Sequence, residues 1–163
     1  MREVITPPNR LAESVVKGRG PSLETILERV NTGIEQLQHD YESELQSELK
    51  RLSEAARRLA GASGAEQEAA LRELYEVAHE IRGQAGSFGY PLLTNFANSL
   101  CGFIERPLDR SPTAIDVIEH HVGAMRAVAA GGVKGDGGRQ GQELLVSLGS
   151  LIDKASAEAK ATT

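Results

Sequence analysis

The side chain best placed to do chemistry in this sequence is His79. Neighbouring apolar residues recur every three or four positions, which predicts a helix, and at about 100° per residue His79 lies about 120° from the centre of their stripe. The stripe consists of Leu74, Ala78, Ile81 and Ala85. We therefore expect His79 to face solvent, where another protein could bring a reactive group to a ring nitrogen.

Two glycines and one cation share the helical face of His79. Arg82, Gly83 and Gly86 follow it by three, four and seven positions. Glycine inside a helix costs roughly 1 kcal/mol relative to alanine, so two glycines beside one exposed histidine call for a reason. We interpret Gly83 and Gly86 as clearance for an approaching protein, and Arg82 as positive charge offered to an incoming anion.

Five predicted helical segments must position this face. The first has apolar residues at helical spacing from Leu23 to Leu59. An irregularity in this spacing from Tyr41 predicts either a bend or break near residues 39–43 or one long helix with a projecting end. The other helices are predicted over 65–87, from Pro91 to Pro107, from Pro112 to Val128 and around Leu144–Ile152, with a flexible glycine-rich loop at 131–141.

No segment shows the two-residue alternation that is typical of strands. The predicted fold is therefore all-α, an antiparallel four-helix bundle with a long N-terminal helix and an additional C-terminal helix. Residues 1–21, rich in proline and glycine, are predicted to form an irregular arm, residues 22–154 one domain, and residues 155–163 a frayed tail.

Composition and charge narrow the function classes. The 163 residues have a formal net charge of −5 and no dense Lys/Arg stripe, which argues against nucleic-acid binding. No apolar run of about 18 residues and no secretory signal occurs, so we expect a cytoplasmic protein that does not enter a membrane. The single cysteine, Cys101, agrees with a reducing compartment.

Other candidate sites are weaker. Glu76 and His79 have the spacing of half a helical di-metal site, but no second copy of that motif occurs. His120 and His121 diverge by about 100° on a helix and are poorly arranged to bind one ion. His121 borders an apolar stripe, and we expect it to be partly buried and hydrogen-bonded. We predict neither a metal site nor an ATP site, since no Gly-x-x-x-x-Gly-Lys-Ser/Thr motif is present.

The segment around His79 resembles the histidine-containing phosphotransfer (HPt) domains of bacterial multistep phosphorelays, particularly stand-alone α-proteobacterial members. The family motif is His-x-x-Lys-Gly, followed after small residues by an apolar residue and glycine. The matching residues are His79, Gly83, Phe88 and Gly89, with Arg82 in place of the usual lysine. The resemblance extends over about residues 65–150 and implies an HPt-type bundle.

This resemblance also implies a function. His79 would accept a phosphoryl group from a receiver-domain aspartate and pass it to another response-regulator receiver, with Arg82 stabilising the phosphate charge. The partners would be receiver domains of a hybrid sensor kinase, a response regulator or both. The receiver brings the Mg²⁺, so the resemblance implies neither a cofactor of the chain's own nor autonomous kinase activity.

Further site residues follow from the same resemblance. The docking surface would comprise Gly83, Gly86, Tyr75 and Asn98. Several family members orient the histidine with a glutamine on the next helix. Cys101 occupies that position here, which leaves Asn98 or a backbone carbonyl to orient the ring.

Two other functions stay open at this point. The chain could be an adaptor or antagonist that binds receivers without carrying phosphate. It could also be the dimerisation helix pair of a sensor kinase, whose acceptor segment begins His-Glu, although Gly83 and Gln84 occupy the region where such a segment has proline. The oligomeric state is open as well, with a monomer favoured, because the first helix could extend the bundle or pair with another chain.

Overall fold

The computed structural model describes residues 20–106 and 111–161, and all regular secondary structure in them is helical. The helices are α1 (Leu23–Gly61), α2 (Ala65–Gln84), a short 3₁₀ helix (Ala85–Phe88), α3 (Pro91–Ile104), α4 (Pro112–Ala130) and α5 (Gly138–Ala161). The all-α prediction is confirmed. Of the predicted N-terminal arm, only residues 20 and 21 lie within the described part of the chain.

Capping residues define where several helices begin. The Ser22 hydroxyl accepts a hydrogen bond from the Thr25 amide at the start of α1, over 3.1 Å. Ser111 does the same for the Ala114 amide at the start of α4, over 3.2 Å. Pro91 begins α3, where the amide that proline lacks would have no partner within the helix.

Helix α1 is continuous through residues 39–43, so the chain does not break there. The described structure divides after Leu37 into two compact units. In the first unit, the residues of α1 are almost all exposed. In the second unit, the remainder of α1 buries Tyr41, Leu45, Leu49, Leu52 and Leu59 in the core.

Ion pairs show that α1 and α2 are antiparallel. Arg51 pairs with Glu80 at 3.8 Å, while Arg58 pairs with Glu73. As residue numbers rise along α1, those of the partners fall along α2, which is the signature of antiparallel neighbours. The acidic side of α2 is thereby committed to α1, and a different face of α2 remains for other contacts.

Helix α5 is longer than the sequence suggested. It packs against α3 and α4, and the Thr113 hydroxyl of α4 donates a 2.7 Å hydrogen bond to Glu158. Ala155 is buried, so the expectation of a frayed tail over 155–163 is incorrect for residues 155–161, which continue the helix. Residues 162 and 163 lie outside the described residues.

The glycine-rich connection between α4 and α5 is anchored rather than flexible, contrary to expectation. The Gly135 amide donates to the Gly89 carbonyl over 2.8 Å, and the Leu92 amide donates to the Gly135 carbonyl over 3.2 Å. Gly135 and Gly137 have φ of 79° and 70°, a conformation that only glycine adopts freely. Gly137 also packs so closely on Leu92 that a Cβ there would lie 2.5 Å from the leucine side chain.

Candidate functional site

His79 lies on the exposed face of α2, as its place in the apolar pattern predicts. The helix is held by buried residues on its other side, including Leu74, Ala78 and Ile81, none of which is accessible to solvent. Within residues 20–106 and 111–161, no hydrogen bond or ion pair engages the ring of His79. An imidazole in this state can present a nitrogen lone pair to an incoming electrophile.

Tyr75 is the ring neighbour of His79. The two ring centroids lie 5.9 Å apart with the planes inclined at 37°, one helical turn from each other. The Tyr75 hydroxyl donates a 2.7 Å hydrogen bond to Glu105, just beyond the end of α3. This bond to a carboxylate raises the pKa of Tyr75 and fixes the phenol ring beside His79.

Glu105 was not among the residues singled out from the sequence. It lies thirty positions from Tyr75, and no local spacing links the two residues. Only the antiparallel packing of α2 against α3 brings them together, so no signal in the sequence could have identified the pair.

Arg82 lies on the edge of α2 nearest to α3 and is half-buried. Burial raises the pKa of the Cys101 thiol, and the nearby Arg82 charge partly offsets that rise. Among the described side chains, Arg82 forms no ion pair, in contrast to Arg51 and Arg58 of α1. Its guanidinium group is therefore unneutralised within one turn of His79, where it can meet an anion.

Gly83 and Gly86 differ in their surroundings. Gly83 lies inside α2, and a Cβ built there would meet nothing within 4 Å. Gly86 lies beyond the end of α2, in the 3₁₀ helix, and a Cβ there would approach the Thr94 hydroxyl of α3 to 3.3 Å. The clearance interpretation therefore fits Gly83, whereas Gly86 also permits a close approach between neighbouring elements.

Asn98, one of the two candidates for orienting the ring, does not do so. It is exposed on α3 and is not hydrogen-bonded to His79, while Cys101 is fully buried. The second candidate, a backbone carbonyl, is not found either, because no carbonyl of the described residues accepts a bond from the ring. Among the described aromatic side chains, the ring neighbour of His79 is Tyr75.

The turn that follows α2 fixes the C-terminal end of the helical face that carries His79. The Tyr90 amide donates to the Ala85 carbonyl over 2.9 Å, and Gly89 adopts φ of 87° to reverse the chain. Phe88 stacks on Tyr41 of α1, with centroids 4.0 Å apart and planes within 6°. These contacts hold the end of α2 and the start of α3 in one geometry.

The two histidines of α4 are engaged elsewhere. His121 has Nδ1 2.8 Å from the Val117 carbonyl and Nε2 3.0 Å from the Ser99 hydroxyl, so the expected hydrogen bonding is confirmed. Its burial is complete, whereas the sequence predicted partial burial. His120 is exposed, but its Nδ1 lies 2.7 Å from the Asp116 carbonyl. His79 is distinguished from both by its uncommitted ring nitrogens.

The described residues contain neither a cluster of side chains that could hold a metal ion nor a helix that could span a membrane. No three residues among their His, Cys, Asp and Glu side chains cluster closely enough to hold a metal ion, so Glu76 and His79 have no further ligand. None of their helices combines the length and hydropathy needed to cross a bilayer.

Comparison with protein-family models gives a match to the Hpt domain over residues 21–128, well over half of the chain. The matched range includes α1, α2 and α3, and with them every residue of the His79 face. The comparisons with curated proteins and with solved structures gave no match.

Proposed function

We propose a function on the premise that the chain belongs to the Hpt domain family of histidine phosphotransfer proteins in two-component signalling. In this proposal the chain is a phosphorelay intermediate with His79 as the acceptor. It would take a phosphoryl group from the aspartate of one receiver domain and pass it to the aspartate of another. The exposed, uncommitted ring of His79 is the observation that carries this proposal.

The chemistry requires little from the chain itself. A lone pair on one His79 ring nitrogen attacks the phosphorus of the receiver's aspartyl phosphate, in line with the bond to the aspartate oxygen. The nitrogen–phosphorus bond forms as that bond breaks, the aspartate leaves as a carboxylate, and the other ring nitrogen can release its proton. In the reverse step, a second receiver's carboxylate attacks the phosphorus and the nitrogen–phosphorus bond breaks. The ring takes back its proton, which regenerates the neutral imidazole.

Arg82 provides charge to this step. The phosphoryl group arrives with negative charge on its non-bridging oxygens, and the guanidinium lies one turn away without a carboxylate partner among the described residues. The Mg²⁺ is assigned to the receiver, so we propose no cofactor of the chain's own. We also propose that it has no autonomous kinase activity, because its sequence contains no nucleotide-binding loop.

The docking surface is proposed to comprise Tyr75, Gly83, Gly86 and Asn98, around His79. All four are exposed or half-buried, so an approaching receiver can reach them. Open space at Gly83 permits close approach of a partner backbone, while the hydrogen bond that Tyr75 donates to Glu105 holds the phenol ring in place. The receivers would belong to a hybrid sensor kinase, a response regulator or both, and a cytoplasmic location fits such partners.

A transfer assay tests the acceptor directly. The wild-type chain and the variants His79→Gln and His120→Gln are incubated with a phosphorylated receiver and Mg²⁺. We expect an acid-labile label on the wild type and on His120→Gln, and none on His79→Gln. Label on His79→Gln would refute the assignment.

The same assay separates the relay from an adaptor. A wild-type chain that binds the receiver but takes up no label would behave as the adaptor or antagonist considered above. Circular dichroism of His79→Gln checks that the loss of label does not come from unfolding, which is not expected for an exposed side chain.

A further inference from the structure

The first turns of α1 expose an apolar surface that the proposed phosphotransfer does not use. Six large apolar side chains lie there within fifteen residues, with exposed fractions between 44% and 73%. We name this surface the N-terminal stripe; it consists of Leu23, Ile26, Leu27, Val30, Ile34 and Leu37. Monomeric proteins seldom leave such a continuous apolar surface in water, so it indicates a binding partner.

The spacing of the stripe identifies the kind of partner. Leu23, Leu27, Val30, Ile34 and Leu37 are separated by four, three, four and three positions. An average of 3.5 residues keeps apolar side chains in a single seam along a helix that coils around another helix. The partner is therefore a helix with a matching apolar seam.

We propose that the N-terminal stripe pairs with the same stripe of a second copy of this chain. The residues beside the seam between Leu23 and Leu37 support self-pairing, because only Glu24 is charged among Glu24, Ile26, Asn31 and Gly33. Charges at these flanking positions normally select a different partner or exclude an identical one. Here almost nothing at the flanks repels an identical helix.

The charged residues of this segment lie away from the seam. Glu28, Arg29 and Glu35 occupy positions on the outer side of the helix in the same register. The segment is acidic, and two copies would repel each other if these carboxylates lined the contact. Their outward placement lets two acidic helices pair through their apolar sides.

The helix needed for pairing already exists. The seam belongs to a continuous helix of 39 residues whose later turns are buried, so pairing does not have to nucleate helix from a coil. Binding surfaces that are formed in advance lose less conformational entropy on association.

The size of the stripe sets the expected strength. Each of the six side chains has an apolar area of roughly 100 Å², of which about half is exposed. Together they offer on the order of 300 Å² per copy, below the approximately 800 Å² per partner of a standard stable interface. The dimer should therefore be reversible and dissociate on dilution, rather than behave as an obligate assembly.

Sedimentation equilibrium of the full-length chain over a wide micromolar range tests the proposal. We expect a monomer–dimer equilibrium for the wild type. The double variant Val30→Glu/Ile34→Glu places two charges in the seam and should raise the dimer Kd by at least about tenfold. The matched control Thr32→Glu/His39→Glu adds two carboxylates on the opposite side of the helix and should dimerise nearly as the wild type does.

Three outcomes would overturn the proposal: a wild type that stays monomeric at the highest concentration, a seam variant that dimerises normally, or a control that loses the dimer equally. Residues 1–19 could instead cover the stripe within one chain. The full-length variant Leu11→Glu/Val15→Glu addresses this, since it should leave the dimer unchanged. A monomeric wild type that becomes dimeric in this variant would assign the stripe to the N-terminal residues.

Circular dichroism of each variant confirms that the helix is retained. The transfer of label to His79 is measured on the same samples. The stripe and His79 are separate features, so the two proposals can fail independently. A wild type that is labelled normally but does not dimerise would refute only the dimer. A wild type that dimerises but takes up no label would refute only the proposed function.

Discussion

His79 on α2 and His121 on α4 have rings that are used in opposite ways. His79 is exposed, and its ring lies beside that of Tyr75 without a hydrogen-bond partner among the described residues. His121 on α4 is fully buried, and both of its ring nitrogens have hydrogen-bond partners, Val117 and Ser99. The first ring is available to a visiting electrophile, whereas the second is part of the fold.

The partners of His121 define its protonation. A carbonyl oxygen only accepts, so Nδ1 must carry the proton that is donated to Val117, which leaves Nε2 to accept from the Ser99 hydroxyl. Burial lowers the pKa of His121, because a charged ring in this environment would be poorly solvated. The neutral ring is therefore the form that the native state selects.

Among the variants that test this difference between the two histidines, we expect His121→Gln to have the largest effect, a loss of stability. The shorter amide cannot reach both partners, and an unsatisfied buried polar group costs about 1–3 kcal/mol of unfolding free energy. Transfer of label to His79, measured per folded molecule, should stay normal. Ser99→Ala serves as the milder control, because it removes one of the two bonds.

A pH series adds a second readout for the same residue. The native pKa of His121 lies below the value of 6.5 for an unperturbed ring, so the unfolded state binds more protons in the interval between the two. The histidine's contribution to stability is thus complete above about pH 6.5 and is lost as the pH falls through the lowered pKa. Subtracting the curve of His121→Gln should reveal this dependence; parallel curves would contradict it.

The next effect concerns the glycines beside His79. Gly83→Ala should leave the melting temperature equal or higher, because its Cβ meets nothing within 4 Å and alanine favours the helix. Gly83→Gln should keep the helix but slow transfer from the receiver by about tenfold, equivalent to about 1.4 kcal/mol of lost docking energy. Unchanged transfer would place the docking surface elsewhere.

Gly86 provides the contrast within that comparison. In Gly86→Ala the added methyl group would lie 3.3 Å from the Thr94 hydroxyl, so we expect a small decrease in melting temperature where Gly83→Ala shows none. Measuring both alanine variants separates clearance for a partner from packing against α3. An equal and large decrease in both would mean that neither glycine serves docking alone.

These differences show what the sequence could and could not predict. The exposure of His79 and the burial of His121 follow from helical periodicity, because 3.6 residues per turn assign each residue to a face. The packing of Gly86 against Thr94 depends on how two helices meet, and the bond between Tyr75 and Glu105 depends on contacts thirty residues apart. Local spacing carries no record of either contact.

The glycine-rich connection before α5 was mispredicted for a related reason. Composition indicated a flexible linker, but Gly135 is hydrogen-bonded to Gly89 and Leu92, and Gly137 fits closely against Leu92. Glycine serves flexible linkers and tightly packed turns equally well, so its frequency does not distinguish between the two. Only the distant partners of the loop show that it is anchored.

A smaller effect is expected at Arg82. An exposed or half-buried charge contributes about 0–1 kcal/mol, so Arg82→Ala should slow transfer or shorten the phosphohistidine lifetime by up to about fivefold. Arg82→Lys retains the charge and should leave the transfer rate and the phosphohistidine lifetime nearly unchanged. The transfer rate and the phosphohistidine lifetime of both variants are measured with the labelled receiver at low and high salt. An Arg82→Lys protein that takes up no label would show that the geometry of the side chain matters more than its charge.

The smallest effect we predict concerns Glu48 of α1. Its contribution to stability changes with pH in the direction opposite to that of His121. Glu48 is buried, and its Oε2 has no hydrogen-bond partner among the described residues. Burial, with smaller contributions from the charges of Glu80 and Glu44, raises its pKa to about 7, and Arg51 partly opposes this rise.

Because the folded pKa of Glu48 exceeds the unfolded value of 4.5, the native state holds the proton longer, and stability is lost as the pH rises from about 4.5 to 7. Glu48→Gln keeps the shape without the charge. It should be more stable than the wild type by up to about 1 kcal/mol near pH 8, after allowance for solvent screening, and should match it near pH 4.5. Melting curves at the two pH values check this, and a difference that stays constant with pH would show that the carboxyl group does not titrate as its burial requires.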